Sequence, residues 1–221
     1  MNKIRGVLYF IICVISIFLV VVSMAIFRKA NHKCRQIWAK FQKLVIGYKV
    51  EQIGEFDPDA NIILINHRSM LDIIILEDIY PKNLAWVSKK EIGEIFILGK
   101  ILTLPKMIAV DRKNPRSIVS LVRDIKDRVD NGRVIAMFPE GTRGRGEKLL
   151  KFQDGAKVAI QKLNLKVQPI VLKDTLKLLD AKNISLNSGV VKVACLDVID
   201  TTSPTWYEDL RKDMQEVYDK L

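Results

Sequence analysis

The sequence predicts an α/β domain that follows a membrane-associated segment of about 50 residues, and three observations support this prediction. Residues 6–27 carry no charged side chain. Nine basic and no acidic residues precede Glu51, whereas the rest of the chain holds 27 basic and 25 acidic residues. Beyond Glu51, apolar runs of strand length alternate with helical patterns, which is typical of a sheet covered by helices.

The uncharged segment is long enough to cross a bilayer. Its 22 residues match a hydrocarbon core of about 30 Å at the helical rise of about 1.5 Å per residue. A cleaved signal peptide has a shorter apolar region, and the basic residues directly downstream, from Arg28 to Arg35, oppose export. A buried core helix is seldom apolar on every face. We therefore expect an uncleaved membrane anchor, and the positive-inside rule places residues 28–221 in the cytoplasm.

Residues 29–47 predict a second helix, with one apolar and one basic face. A basic helix of this kind, with a tryptophan at its border, is typical of a helix that lies on an anionic membrane. The alternative is a solvated helix that packs on the globular domain. The positive charge is concentrated in the most apolar part of the chain, so a membrane is a better partner than nucleic acid. The apolar face comprises Ile37, Trp38, Phe41, Leu44 and Val45, opposite Lys33, Lys40 and Lys43.

The chain thus divides into a membrane segment, residues 1–50, and one α/β domain, residues 51–221. The clearest helix in the domain is Ser117–Asp130, whose apolar residues form a single stripe between Asn114-Pro115 and Asn131-Gly132. The three cysteines are scattered, so they predict neither a disulfide framework nor a metal site. The strand-like runs are Asn61–Ile65, Leu84–Ser88, Met107–Val110, Val134–Phe138, Val167–Leu172 and Val190–Val198.

One of the two histidines lies where an active site is expected. His67 directly follows the strand at Asn61–Ile65, and Asp72 comes five residues later. A histidine at a strand end can act as a general base, and a carboxylate can fix its tautomer and support the imidazolium. The alternative is that Asp72 only caps the next helix, because Ser69-Met70-Leu71-Asp72 has the spacing of a capping box. Spacing alone favours neither interpretation.

A glycine- and arginine-rich turn follows another predicted strand. It runs from Phe138 to Gly146 with the sequence FPEGTRGRG. Glycines let a ligand approach the backbone, and arginines offer paired donors to phosphate, so the turn predicts an anion site. Glu140 can orient the guanidinium of Arg143 or contact a hydroxyl group, and the alternative for the whole turn is a solvated loop. Arg112 follows the strand at Met107–Val110 in the same way, its alternative being a surface ion pair.

Together, and behind a membrane anchor, these residues closely resemble the 1-acylglycerol-3-phosphate acyltransferases, the bacterial lysophosphatidate acyltransferase family. The resemblance spans about residues 60–172, and Phe-Pro-Glu-Gly-Thr-Arg is its most specific element. The sequence departs from the family pattern at Lys106, Ala109 and Gln168, where Gly, Phe and Val are usual. The matching residues are His67 and Asp72, Arg112, Phe138 to Arg143, Lys151-Phe152 with Gly155, and Pro169.

The resemblance implies the glycerolipid acyltransferase fold, a mixed sheet flanked by helices with an N-terminal membrane-associated helical hairpin. It implies transfer of an acyl group from acyl-CoA or acyl-carrier protein to the sn-2 hydroxyl of 1-acylglycerol-3-phosphate, giving phosphatidic acid. The reaction needs no cofactor or metal and takes place at the cytoplasmic face of the bacterial inner membrane. His67 is then the catalytic base, held by Asp72. The implied substrate-binding residues are Arg112, Glu140, Gly141, Thr142 and Arg143.

Two alternatives to this assignment stay open at the level of sequence. A related acyltransferase can use another acceptor, such as glycerol-3-phosphate or another lysophospholipid. A non-catalytic, membrane-bound lipid-binding protein can keep the same fold with an inactive site. In the catalytic interpretation, the apolar stretch at residues 91–104 is expected to line an acyl-chain tunnel; plain core packing is its alternative.

Overall fold

The computed structural model describes residues 2–96, 99–112, 114 and 116–221. Within them lies a mixed sheet flanked by helices, as expected. The strands are β1 (Tyr48–Ile53), β2 (Ile62–Ile65), β3 (Leu84–Lys89), β4 (Ile108–Val110), β5 (Val134–Met137), β6 (Val167–Lys173), β7 (Leu179–Asp180), β8 (Ser185–Leu186) and β9 (Gly189–Cys195). The helices are α1 (Asn2–Ile26), α2 (Asn31–Ile46), α3 (Leu71–Ile79), α4 (Lys90–Gly93), α5 (Lys100–Thr103), α6 (Ser117–Asp130), α7 (Asp154–Leu163), α8 (Thr175–Leu178) and α9 (Trp206–Lys220), and a 3₁₀ turn at Arg28–Ala30 joins α1 to α2.

Seven strands form the main sheet in the order β1-β9-β6-β2-β5-β3-β4. The five strands from β6 to β4 are parallel, whereas β9 is antiparallel to β6 and β1 is parallel to β9. The central strands β2 and β5 are buried at every position, which explains their uninterrupted apolar sequences. Because β2, β3, β4 and β5 run in the same direction, their carboxyl ends meet at one edge of the sheet.

The sheet separates two apolar cores. Alternate residues of β2 point to opposite faces, so Ile63 and Ile65 pack against α1, α2 and α3, whereas Ile62 and Leu64 pack against α6, α7 and α9. The predicted helix at residues 117–130 is found as α6, with Leu121 and Ile125 buried. The six predicted strands are present as well, with ends shifted by a few residues.

The N-terminal helices form a hairpin whose first member contacts the domain at both of its ends. Near the start of α1, the Arg5 guanidinium donates to Ser188 Oγ over 3.0 Å, and Gly6 lies so close to the Ile184 carbonyl that a Cβ atom would overlap it. Near the other end, Val20 and Met24 pack with Ile101 and Leu104 of the domain. Helix α1 therefore lies along the domain.

The two sides of α1 differ in exposure. Its buried side includes Tyr9, Cys13, Ser16 and Met24, while from Val7 to Ile26 every residue of its exposed side is apolar. Among the described residues, α1 is the one helix that is long enough and apolar enough to span a membrane. The exposed residues of the outer side include Val7, Leu8, Ile11, Val14, Ile15, Phe18, Leu19, Val22 and Ile26.

Helix α2 packs on the domain, as the alternative interpretation held, and turns part of its apolar stripe outward. Arg35, Ala39, Gln42 and Ile46 form its buried side, whereas Ile37 is 68% and Leu44 is 81% exposed. Trp38 and Val45, from the same stripe, are partly buried against the core. Strand β1 follows directly, at Tyr48, and was not predicted. The sheet thus begins within the segment that was assigned to the membrane, and the division at residue 50 falls inside β1.

Candidate active site

The loop between β2 and α3 is fixed to the sheet by an asparagine. Asn66 is fully buried; its Nδ2 donates to the Leu172 carbonyl over 2.9 Å, and its Oδ1 accepts from the Leu172 N–H over 2.7 Å. The pair of bonds ties the end of β2 to β6. His67, the next residue, therefore leaves the sheet in a defined direction.

Asp72 holds this loop through a single oxygen atom. Its Oδ2 accepts from the backbone N–H groups of Arg68, over 2.7 Å, and Ser69, over 2.9 Å, and lies 2.8 Å from His67 Nδ1. The residue is 0% exposed. The bond to the Ser69 N–H corresponds to the return bond of a capping box, although the Ser69 hydroxyl accepts from the Leu71 N–H and not from that of Asp72. The two interpretations of the spacing are therefore compatible, since the carboxylate at the start of α3 also contacts His67.

This contact sets the tautomer of His67. A carboxylate accepts hydrogen bonds, so the proton of the neutral imidazole lies on Nδ1, and Nε2 keeps its lone pair. The imidazole stacks on the Phe138 ring, with 3.7 Å between centroids and 12° between planes. Trp86 in turn stacks on Phe138, with 5.4 Å between centroids. Two contacts, one polar and one aromatic, therefore fix the ring and present Nε2 to the neighbouring cavity.

Glu140 belongs to the same assembly but does not line the cavity. It is 2% exposed, its Oε1 accepts from the His67 N–H and its Oε2 from the Leu150 N–H, both over 2.7 Å. Arg68 lies 3.8 Å from Oε2. Burial raises the pKa of Glu140, and the two N–H donors and Arg68 oppose that rise. The position of Glu140 therefore does not support the expected contact with substrate. Its carboxylate instead joins three segments of the protein: its own turn, the loop of His67 and the segment at Leu150.

Gly144 is required by the packing of this assembly. Its N–H donates to the His67 carbonyl over 2.9 Å, so it closes the loop of His67 from the other side. A Cβ atom at this position would overlap Nη1 of Arg68, which is itself buried. The second glycine of the turn therefore serves the fit of Arg68 beneath the site.

A cavity of about 510 Å³ opens beside His67 and gathers most of the expected site residues. Arg112, Gly141, Thr142 and Arg143 line it together with His67. The Arg112 guanidinium donates to the Gly141 carbonyl, while Lys90 pairs with Asp111 over 2.6 Å. Arg112 is thus turned toward the glycine-rich turn and the cavity, and the described residues show no ion pair of the kind named as its alternative.

The rest of the described cavity wall is mainly apolar, with four further polar members, Arg35, Glu77, Ser88 and Lys89, and much of it comes from the hairpin. Ile17 and Val20 of α1 and Trp38 of α2 contribute, as do Ile73 and Ile74 of α3. From the stretch expected to line a tunnel, Ile92, Ile101 and Leu102 line the cavity, while residues 97 and 98 lie outside the described part of the chain. The cavity therefore joins the polar residues around His67 to a mainly apolar wall that borders α1 and α2.

Neither a metal nor a cysteine nucleophile is suggested by the described residues. They contain no group of His, Cys, Asp and Glu side chains suited to a metal ion. Cys13, Cys34 and Cys195 are unpaired, and none is among the described residues of the cavity wall. Burial raises the pKa of Cys195 to about 12, which suppresses the thiolate. The arrangement supports direct transfer to a hydroxyl that His67 activates.

The position of Glu140 leads to a specific expectation for Glu140→Gln. A glutamine offers one carbonyl oxygen where the carboxylate serves two N–H donors and Arg68, so we expect a loss of about 1–3 kcal/mol of stability. The turnover number should fall because His67 is displaced, while the KM for the acceptor stays within about twofold. Thermal unfolding and steady-state kinetics test this. A raised acceptor KM in a fully stable variant would instead support the original substrate contact.

The fold and the site define a class of protein: an acyltransferase with a paired histidine and aspartate. The family model named Acyltransferase matches residues 48–173. A 1-acyl-sn-glycerol-3-phosphate acyltransferase of Helicobacter pylori is 39% identical over 98% of this chain and 93% of its own length. The chain belongs to this acyltransferase family, and it is an enzyme.

Two further comparisons bear on the fold and on the range of acceptors. The crystal structure of a 1-acyl-sn-glycerophosphate acyltransferase, PlsC, from Thermotoga maritima superposes with a TM-score of 0.71 at 21% identity, covering 100% of this chain and 95% of that one. A lyso-ornithine lipid O-acyltransferase of Rhizobium meliloti is 31% identical over 51% of this chain and 38% of its own length. The names of these relatives thus differ in the lipid acceptor that they give.

Proposed function

We propose that this enzyme transfers an acyl group from a thioester to the sn-2 hydroxyl of 1-acylglycerol-3-phosphate and forms phosphatidic acid. The observation that carries the proposal is the cavity at His67. One part of its wall combines a general base with Arg112 and Arg143, which suit a phosphate, and the rest is mainly apolar and bordered by the hairpin. An acceptor with a phosphate, a free hydroxyl and an acyl chain matches this sequence of environments.

The residues support a direct transfer. His67 Nε2 accepts the hydroxyl proton while the hydroxyl oxygen attacks the thioester carbonyl carbon. Asp72 stabilises the imidazolium that forms, through the 2.8 Å contact with Nδ1. When the tetrahedral intermediate collapses, the carbon–sulfur bond breaks, and the leaving thiolate takes the proton back from His67. The products are the new ester and the free thiol of coenzyme A or acyl-carrier protein. His67 is regenerated, and no cofactor takes part.

Arg143 is the proposed phosphate contact, and the same turn supplies its control. Arg143 lines the cavity, whereas Arg145 pairs with Asp180 over 2.5 Å and is absent from the described cavity wall. We expect Arg143→Ala to raise the acceptor KM by about 10- to 100-fold, the worth of a charge-assisted hydrogen bond. Arg145→Ala should change it by less than about twofold. An equal effect of both substitutions in steady-state assays would contradict a specific phosphate contact.

The membrane placement follows from the hairpin. Both ends of α1 contact the domain that carries the site, so we propose that α1 lies in one leaflet with its exposed apolar side toward lipid. The outward apolar stripe of α2 supports the same placement. The basic residues between the two helices favour the cytoplasmic face of the inner membrane. The acceptor can then enter from the bilayer, and the acyl donor from the cytoplasm.

Two small-to-large substitutions in α1 test this placement. Gly6 packs against the Ile184 carbonyl, whereas Ala25 is exposed on the same helix. Gly6→Val should lift α1 from the domain, lower thermal stability by about 1–3 kcal/mol and reduce activity, because α1 forms part of the cavity wall. Ala25→Val should have little effect on either quantity. A helix that crosses the bilayer apart from the domain would tolerate both substitutions equally.

A further inference from the structure

A second cavity, of about 520 Å³, lies at the turn between α1 and α2. The turn and α2 supply one side of it, from Arg28 to Arg35, and the segment after α5 supplies another, from Thr103 to Lys106. Asn83 and Arg133, which directly precede β3 and β5, complete it. Arg35 also borders the cavity at His67, but the other described lining residues of the two cavities differ.

The charge of this second cavity has one sign. Five cationic side chains line it, and no carboxylate is present among its described lining residues. Two carboxylates act on these cations from outside the lining: Glu77 pairs with Arg35 itself and accepts from Trp86 Nε1, and Asp127 contacts Arg128. The five cations are Arg28, Lys29, Arg35, Lys106 and Arg133.

Two of the cations are held in place with donor capacity to spare. Arg35 is 6% exposed, and its Nε has no hydrogen-bond partner among the described residues. Arg133 donates to the carbonyls of Pro105 and Leu84, both over 2.7 Å, and its Nε is likewise unpartnered within the described chain. Fixed, partly desolvated guanidinium groups with free N–H donors suit an oxyanion better than they suit solvent.

His32 reports the same excess of positive charge. Burial, followed by the cations Arg35 and Arg133, lowers the pKa of His32 to about 4. The imidazole is therefore neutral at physiological pH. An anion seated between the two arginines would offset their effect and raise the pKa of His32 toward its ordinary value.

We propose that this cavity, the turn cavity, binds a phosphate group at a site separate from the catalytic one, with an anionic phospholipid headgroup as its favoured source. The turn cavity lies where α1 ends, and Ile26 and Phe27 beside it are exposed and apolar. A lipid whose chains follow α1 would therefore bring its headgroup to these cations. This inference does not depend on the acceptor assigned to His67.

The two histidines of the chain allow both sites to be followed in one experiment, because His32 lines the turn cavity and His67 the catalytic cavity. Histidine-labelled protein in a neutral detergent is titrated with dihexanoyl phosphatidylglycerol, with inorganic phosphate and with coenzyme A, while NMR follows each imidazole. We expect saturable movement of the His32 resonances and a rise in the pKa of His32 with phosphatidylglycerol. A response to phosphate or coenzyme A alone would keep the phosphate site and assign it a soluble source.

Matched double variants separate this cavity from general surface charge. Arg28→Gln with Lys29→Gln removes two exposed lining cations, and Lys33→Gln with Lys40→Gln removes two exposed cations of the same hairpin that are not among the described lining residues. The first pair should weaken binding seen at His32 by about tenfold or more, and the second by less than about twofold. Equal weakening by both pairs, or an unmoved His32 with all three probes in folded protein, would overturn the proposal.

Discussion

Replacing His67 with alanine is expected to reduce the turnover number by about 100- to 10,000-fold, the usual contribution of a positioned general base. The imidazole presents Nε2 to the cavity because Nδ1 is committed to Asp72. Stacking on Phe138 holds the ring in this orientation. In the described part of the cavity wall, the one other side chain that could act as a base in place of His67 is Glu77. Its carboxylate is already committed to Arg35 and Trp86.

Acyl transfer to lysophosphatidate, assayed in membranes that contain the protein, measures this effect. Acyl-CoA and acyl-carrier protein are offered in parallel, and glycerol-3-phosphate and lyso-ornithine lipid serve as competing acceptors. His67→Gln is the informative companion, since glutamine can still donate to Asp72 but has no basic nitrogen. Loss of activity in both variants, at normal thermal stability, identifies the base. Full activity of His67→Ala would refute the proposed mechanism and favour a lipid-binding role.

Much of the site was predictable because its residues follow strands that run in parallel in one sheet. His67 follows β2, Arg112 follows β4 and the turn from Phe138 follows β5. Strand ends in such a sheet converge, so the order along the chain already places these residues near one another. The aromatic support of His67 was less accessible, since Trp86 and Phe138 have apolar core as their ordinary environment. Only the stacking geometry gives them a part in the site.

The role of Glu140 could not be predicted from the sequence motif alone. Glu140 and Arg143 belong to one turn, and their proximity in sequence suggests a shared ligand. The turn instead directs the carboxylate inward, to the N–H groups of His67 and Leu150, and leaves the guanidinium at the cavity. Burial depends on segments far away in sequence, so no spacing rule could separate the two roles.

Strand β1 was not predicted because it, too, depends on contacts with a distant part of the chain. Strand β1 carries three exposed residues in succession, from Glu51 to Ile53, and follows α2 after a single glycine. Its partner β9 lies near the other end of the chain, with Tyr48 beside Gly189. A short edge strand paired over such a separation leaves little local signal. The buried face of α2 was hidden for the same reason, since Arg35 and Gln42 are retained there by polar partners, Glu77 and Ser16.

Asp72→Asn is the substitution that should separate positioning from charge. Asn can keep an oxygen at the place of Oδ2, where three N–H groups converge, and its amide nitrogen then occupies the place of Oδ1. That atom has no hydrogen-bond partner among the described residues, so the new donor is buried without an acceptor. We expect a moderate loss of stability, about 1–3 kcal/mol.

The loss of activity should be larger than this change in stability suggests. The neutral amide cannot stabilise the imidazolium that forms during transfer, so the turnover number is expected to fall by about 100- to 10,000-fold. Asp72→Ala removes the cap of α3 as well and should unfold at a lower temperature than Asp72→Asn. If the carboxylate only capped the helix, Asp72→Asn would lose activity in proportion to its folded fraction. Turnover per folded molecule, obtained from activity and thermal unfolding of the same samples, distinguishes the two roles, because only support of the imidazolium lowers it while the loop of His67 stays intact.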